Sequence, residues 1–149
     1  MYNIFTYEFL LLDLISSLIG IFISIALLQS GIDKVLDRKG NLSWLSDHFS
    51  DSILNKNVPL LLLIVTIIEL LSGFLLFLGA LYNIIISNSD LLILGFLTSS
   101  INFIFLFFGQ RVAKDYDGAA VIVNYFILNM LGLLSISFCL LYTSPSQRD

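Results

Sequence analysis

The sequence carries little charge and few residues that bind metals or undergo redox chemistry. Only 12% of its 149 residues are charged, about half the share found in soluble globular chains. A single cysteine, Cys139, excludes an intramolecular disulfide and a Cys-x-x-Cys redox pair. A single histidine, His48, cannot supply two axial haem ligands or a histidine-rich metal site. We therefore expect no metal ion and no covalently bound cofactor in this chain.

Long apolar runs dominate what the sequence does contain. Hydrophobic residues make up 58% of the chain, and an α-helix of about 20 apolar residues crosses the hydrocarbon core of a bilayer. Because lipid offers the backbone no hydrogen-bond partners, such runs must form helices, and Gly31 is expected to end the first of them. The prediction is an all-α integral membrane protein, an antiparallel four-helix bundle in a single transmembrane domain over residues 1–149. Its spans are predicted at residues 9–29, 58–81, 91–108 and 119–141.

The loop between the first and second spans is predicted to contain a short amphipathic helix at about residues 42–54. Leu42, Leu45 and Phe49 recur there at helical spacing among polar residues. We expect this helix to lie on the bilayer surface or against the bundle. His48 would then lie on its polar side or edge, as a solvated interfacial histidine rather than a metal ligand.

Basic residues predict which side of the membrane each loop faces. The first and third loops hold six Lys and Arg residues between them, whereas the opposite side holds only Arg148. Because loops rich in Lys and Arg stay in the cytoplasm, both termini are predicted to be extracytoplasmic. Four of the basic residues share the first loop with four aspartates, so a stripe that binds nucleic acid is not expected.

Glu69 is the residue that most needs an explanation, because it lies at the centre of the second apolar run. A charged carboxylate at the bilayer centre costs at least ~2.5 kcal/mol, so Glu69 should face protein or water, or be protonated. Asn102 and Asn129 lie at similar depth on the third and fourth runs, among small residues that allow helices to approach closely. We predict that all three point into one bundle interior with a polar middle layer.

Two interpretations of Glu69 remain open. It is either a proton-accepting or ligand-binding group, and so the catalytic candidate, or a scaffold group that hydrogen-bonds the helices together. Ionisable residues inside a membrane favour the functional interpretation, with Lys34, Asn102 and Asn129 as candidate ligand-binding residues. Lys34 could bind an anion or hold the first loop, or extend to lipid phosphates. It is expected at the membrane edge, ~22 Å past the middle of the first helix, and thus too far away to neutralise Glu69.

Three segments of the chain resemble the DoxX family of small four-helix membrane proteins. They are SGIDKVLD at residues 30–37, IELLSGFLLFLG at residues 68–79 and GQRVAKDYDGAAVIVNYF at residues 109–126. The positions that match the family's motifs are Gly31, Lys34, Glu69, Gly73 and Gly79. The resemblance implies a bacterial cytoplasmic (inner) membrane protein. Some family members resemble a small subunit of a quinol oxidase or of a thiosulfate:quinone oxidoreductase, and others are linked to redox-stress complexes.

Three functions are consistent with these observations. The first is a small accessory subunit of a membrane redox or respiratory complex, in which Glu69 accepts a proton beside a quinone. Its electron carriers would come from another membrane subunit, because this chain lacks the side chains to hold a haem or a cluster. The second is a non-catalytic subunit that supports assembly, with other subunits or further copies of itself as partners in the lipid bilayer. The third is transport of a proton or small solute past Glu69.

We predict that a reporter fused after Asp149 detects an extracytoplasmic C-terminus, because the six basic residues hold the first and third loops in the cytoplasm. Alkaline phosphatase should be active in this fusion, and a reporter that works only in the cytoplasm should be inactive. The matched control is a fusion after Lys39 in the first loop, which should give the opposite pattern. An active cytoplasmic reporter at Asp149 would overturn the orientation.

Overall fold

The chain is almost entirely helical. A computed structural model describes its backbone over residues 4–143 and its side chains over residues 10–141, and these residues form no β-strand, as predicted for an all-α chain. A short 3-10 turn at Asn55–Asn57 precedes the third helix. The five α-helices of this part of the chain are α1 (Ile4–Leu36), α2 (Arg38–His48), α3 (Val58–Ile86), α4 (Asp90–Val112) and α5 (Tyr116–Thr143).

Four of these helices are long and apolar enough to cross a membrane, as expected of a multi-pass membrane protein. The segments concerned are Leu10–Leu36, Asn55–Ile86, Asp90–Val112 and Tyr116–Leu141. Each helix extends beyond the apolar run that predicted it at one or both ends, because helical hydrogen bonding continues into the neighbouring polar residues. Gly31 does not end the first helix, contrary to the prediction. It lies inside α1, where a Cβ atom would come within 2.8 Å of Leu70 Cγ.

The four long helices pack in a ring. α1 contacts α3 and α5, and α4 also contacts α3 and α5, whereas α1 and α4 touch only weakly across the ring. α2 packs against α3 and α1. This order of neighbours places α1 beside α3, although α2 and the rest of the first loop separate them in the sequence.

Two glycines bring the backbones of α3 and α4 into contact. A Cβ atom on Gly79 would lie 2.6 Å from the backbone nitrogen of Leu92, and one on Gly95 would lie 2.8 Å from the backbone nitrogen of Leu76. Lipid provides no hydrophobic drive for helix association, so such close van der Waals packing is what holds the pair together. Leu76 of α3 lies against Gly95 of α4, and Gly79 of α3 lies against Leu92 of α4, so residue numbers increase along α3 as they decrease along α4. Together the two contacts set the axial register of the helices.

The same two helices separate towards the end of the bundle where α1 ends and α3 begins, which we call the first-loop end. Gly109 lies two heptads beyond Gly95 on α4, yet a Cβ atom there would meet only Phe49 Cζ, at 3.5 Å. No atom of α3 lies within 4 Å of that Cβ position. The separation leaves room between the helices, and the first loop covers it.

The first-loop helix is present but shifted relative to the prediction. α2 covers Arg38–His48, and residues 49–54 form turns rather than the second half of a helix. Asp37 begins the helix, because its side chain accepts a hydrogen bond from the backbone nitrogen of Gly40 at 3.0 Å. After His48, the Ser52 hydroxyl donates to the carbonyl of Phe49 at 3.0 Å and favours a turn.

The predictions that concern Arg148 and both chain termini fall on residues outside the described range. The orientation of the bundle in the membrane therefore stays a prediction.

We predict that Gly95→Ala destabilises the protein by roughly 1–3 kcal/mol, because its methyl group would force apart two backbones that are already in contact. The matched control is Gly109→Ala in the same helix, where the methyl group meets one ring atom at an ordinary distance. Alanine is the better helix former, so this control should be neutral or stabilising by up to ~1 kcal/mol. Thermal unfolding in mild detergent measures both, and equal melting temperatures would contradict the close-packing account.

Candidate functional site

A buried ion pair joins α1 to α3 at the first-loop end of the bundle. Lys34 Nζ lies 2.9 Å from Glu69 Oε2, and the side chains are 16% and 2% exposed, respectively. Ser30 completes the group: Lys34 Nζ donates to Ser30 Oγ at 2.6 Å, and Ser30 Oγ donates to Glu69 Oε1 at 3.2 Å. Both carboxylate oxygens of Glu69 therefore accept a hydrogen bond from α1.

The placement of Lys34 corrects the expectation that it lies too far from Glu69. Glu69 does not lie opposite the middle of α1, because the register places Gly31 against Leu70 and Gly73 against Leu28. These contacts bring the last turns of α1 beside the middle of α3. Lys34, one turn after Ser30, then faces α3 instead of the headgroups.

A cavity of about 480 Å³ opens beside this ion pair. α1 contributes Ser30 and Lys34 to its wall. α3 contributes a row of apolar residues that ends at Glu69. The first loop covers it with Trp44 and other residues. The remaining apolar and polar side chains that line it include Leu45, His48, Phe49, Val58, Leu62, Val65, Phe105, Leu106, Gln110 and Ile122. A mostly apolar pocket with a few converging polar groups is the usual form of a small-molecule site.

His48 lies inside this arrangement, which corrects the expectation of a solvated histidine. Its side chain is 17% exposed, and its Nε2 lies 2.7 Å from the side-chain oxygen of Gln110, to which it donates in the tautomer with the proton on Nε2. The imidazole stacks on Trp44 with ring centroids 4.7 Å apart, and Asp115 Oδ2 lies 3.9 Å from Nε2. These contacts hold the first loop against the end of α4.

Asn129 connects α5 to α4 and has no contact with the ion pair. Its Nδ2 donates to the carbonyl of Phe96 at 2.9 Å and to Ser100 Oγ at 2.8 Å, while its Oδ1 accepts from Ser99 Oγ at 2.6 Å. Both donor hydrogens are thus used by α4. The geometry fits a scaffold group better than a ligand-binding group.

Asn102 is fully buried, and none of the described residues makes a hydrogen bond with its carboxamide. It lies seven residues after Gly95, and Glu69 lies seven residues before Leu76, so the two positions are each two turns from the same α3–α4 contact. Asn102 and Glu69 therefore share a depth, as predicted. A buried carboxamide without hydrogen bonds is costly.

The single polar layer expected from the sequence is wrong in one respect. Glu69, Asn102 and Asn129 are all buried, but no hydrogen bond joins them within the described part of the chain. Glu69 instead connects α1 to α3, and Asn129 connects α4 to α5. A further contact, from Asn83 Nδ2 to Ser17 Oγ at 3.0 Å, connects α1 and α3 nearer their other ends.

Sequence reasoning missed the other polar residues of the site. Ser30 was detectable, since it lies four residues before Lys34 and thus on the same helical face. Trp44, His48 and Gln110 carried no such signal, because their convergence depends on how the first loop folds back over the bundle. Among the side chains described, those of residues 10–141, no cluster of three or more His, Cys, Asp or Glu could hold a metal ion.

Comparisons of this chain with protein-family models, with curated proteins and with solved structures give no significant match. The resemblance of its three short segments to the DoxX family therefore stays a prediction.

We predict that Lys34→Met destabilises the protein by roughly 3–5 kcal/mol, because it leaves the Glu69 carboxylate buried without its counter-charge. Glu69→Gln should also destabilise, since Lys34 then loses its partner, so this substitution is not structurally silent. The double variant Lys34→Met/Glu69→Leu should recover most of the loss, because an apolar pair of similar size needs no compensation.

Unfolding by titration with a denaturing detergent measures all three variants. Lys39→Met is the control, because Lys39 is an exposed residue of α2 and its loss should change stability by less than ~0.5 kcal/mol. A double variant as unstable as the sum of the single variants would show that the ion pair contributes nothing as a pair.

Proposed function

We propose that this chain is a DoxX-like antiparallel four-helix bundle of the bacterial cytoplasmic membrane that binds a quinone beside the Lys34–Glu69 pair, as a small subunit of a quinol-linked redox complex. The observation that carries the proposal is the cavity of about 480 Å³, whose apolar walls end at an ammonium, a carboxylate and a hydroxyl group. A quinone has the matching chemistry, because it joins an apolar ring to two oxygens that accept hydrogen bonds.

The ion pair supports proton transfer at this position. A hydroquinone hydroxyl group beside Glu69 could pass its proton to the carboxylate, leaving a negative quinol oxygen. Lys34 would stabilise that charge, since its ammonium already lies 2.9 Å from the same carboxylate. Glu69 then has the role of proton acceptor and Lys34 that of hydrogen-bond donor to the ring oxygen, while Ser30 holds both side chains in place.

The second ring oxygen has a candidate partner at the covered side of the cavity. His48 and Gln110 both line it and hydrogen-bond each other at 2.7 Å. A ligand oxygen could accept a hydrogen bond from the amide nitrogen of Gln110, because the 2.7 Å contact uses only the amide oxygen. Asn129, which is saturated by α4, is left as a scaffold residue in this proposal.

The proposed quinol chemistry requires a partner subunit that carries electrons. Oxidation of a quinol releases electrons as well as protons, and one histidine and one cysteine cannot hold the usual electron carriers. The complex would therefore supply them through another chain in the membrane. α4 offers exposed aromatic side chains for such a contact at Phe105 and Phe108. The first-loop helix would lie at the cytoplasmic membrane surface, in line with the basic residues at its start.

We predict that a water-soluble quinone quenches the fluorescence of Trp44 in a saturable manner. Trp44 is the only tryptophan of the chain and lines the cavity, so the signal reports this site alone. The double variant Lys34→Met/Glu69→Leu should stay folded and bind at least tenfold more weakly, because it loses the polar end of the cavity.

The matched control is Asn83→Ala, which removes another buried α1–α3 hydrogen bond without touching the cavity. It should lower stability but leave the quinone affinity unchanged. Quenching that rises linearly without saturation, or that is equal in the double variant, would remove the support for quinone binding.

A further inference from the structure

A second cleft lies next to the cavity, between the second half of α4 and the first half of α5. It measures about 220 Å³, and its wall consists only of apolar side chains, namely Phe103, Ile104, Phe107, Ile122, Val123 and Phe126. The same end of the bundle thus holds two spaces of different character. The larger one has a polar end, and the smaller one has no polar group to orient a ligand.

The two spaces meet at Ile122, whose side chain lines both of them. On α4, Phe105 and Leu106 line the cavity while Ile104 and Phe107 line the cleft, so the two spaces lie on different sides of this helix and share the side chain of Ile122 on α5. A molecule with its polar head at Lys34 and Glu69 could therefore reach the cleft only past Ile122, between α4 and α5. Continuity of this kind favours one ligand that occupies both spaces.

The cleft is also open to the membrane along its length. Ile104 is 56% exposed and Phe107 is 38% exposed, whereas Phe103 at the bottom of the cleft is 3% exposed. A groove with a closed floor and an open side can hold a flexible chain and release it into lipid. The groove runs on the surface that four membrane-spanning helices turn towards hydrocarbon.

We propose that the cleft binds the hydrocarbon tail of the ligand whose head occupies the cavity. The ligand class is thus a membrane amphiphile with a long apolar tail, such as an isoprenoid quinone, rather than a small soluble molecule. This inference rests on the proposed quinone site and adds where the tail lies. Because a tail leaves lipid and enters an apolar groove, hydrophobic transfer contributes little, and the cleft acts by shape.

The test compares one quinone head without a tail and the same head with a short isoprenoid tail. Val123→Phe places a ring in the cleft, and its matched control Val121→Phe changes another half-exposed valine of α5 that lines neither space. Both variants preserve Trp44 as the only tryptophan, so quenching of its fluorescence measures the affinity.

We expect Val123→Phe to weaken binding of the tailed quinone by about tenfold and to leave binding of the tail-less head unchanged. Val121→Phe should change neither affinity. If the head binds but the tailed quinone is insensitive to Val123→Phe, the tail lies elsewhere and the inference fails while the quinone site stands. If neither compound binds saturably, the quinone site itself fails, and the tail site fails with it.

A quinone with a photoreactive group at the end of its tail gives an independent readout. Crosslinks should map to peptides of α4 and α5 that contain Ile104, Phe107 or Val123. Crosslinks confined to α1 or α3 would overturn the proposal. Efficient labelling of the cleft by a photoreactive phospholipid that the tailed quinone does not displace would also overturn it, and would assign the cleft to ordinary bilayer lipid.

Discussion

A carboxylate held between apolar helices needs a positive partner, and the first-loop half of this protein is organised around that need. Glu69 is almost completely buried and accepts hydrogen bonds from Lys34 and Ser30, which lie one turn apart on α1. Replacing such a pair by apolar residues often costs nothing, so stability alone is a weak reason for its presence. Its position at the end of an apolar cavity fits the proposed quinone site, where a pair without net charge could exchange protons with a ligand without leaving an isolated charge.

The two halves of the bundle differ in how closely α3 and α4 approach each other. Where Gly79 and Gly95 face the other helix, the backbones of α3 and α4 touch, and that half is closely packed. Two heptads further along α4 the backbone of α3 no longer reaches Gly109, and Phe49 of the first loop lies there instead. The closely packed half fixes the register of α3 against α4. The separated half provides the space that a ligand could fill.

The first loop is part of the site rather than a connection. Its helix carries Trp44 and His48 on the side that covers the cavity, and His48 hydrogen-bonds Gln110 at the end of α4. The contact between a loop residue and the end of α4 gives a connection of this length a structural role in so small a chain. It also places the only tryptophan beside the proposed ligand, where a bound quinone would change its fluorescence.

Some features of the fold were readable from the sequence because they depend on composition and on short-range periodicity. Apolar runs long enough to cross a bilayer predicted four helices, and the burial of Glu69, Asn102 and Asn129 followed from the cost of polar groups in lipid. The partner of Glu69 was not readable, because it depends on the axial register of α1 against α3. That register is set by contacts such as Gly31 with Leu70 and Gly73 with Leu28, which join residues that are far apart in the chain. The sequence by itself therefore determined which groups must be buried, whereas only the tertiary structure decided which of them meet, since helix register and neighbour order arise from packing between distant segments.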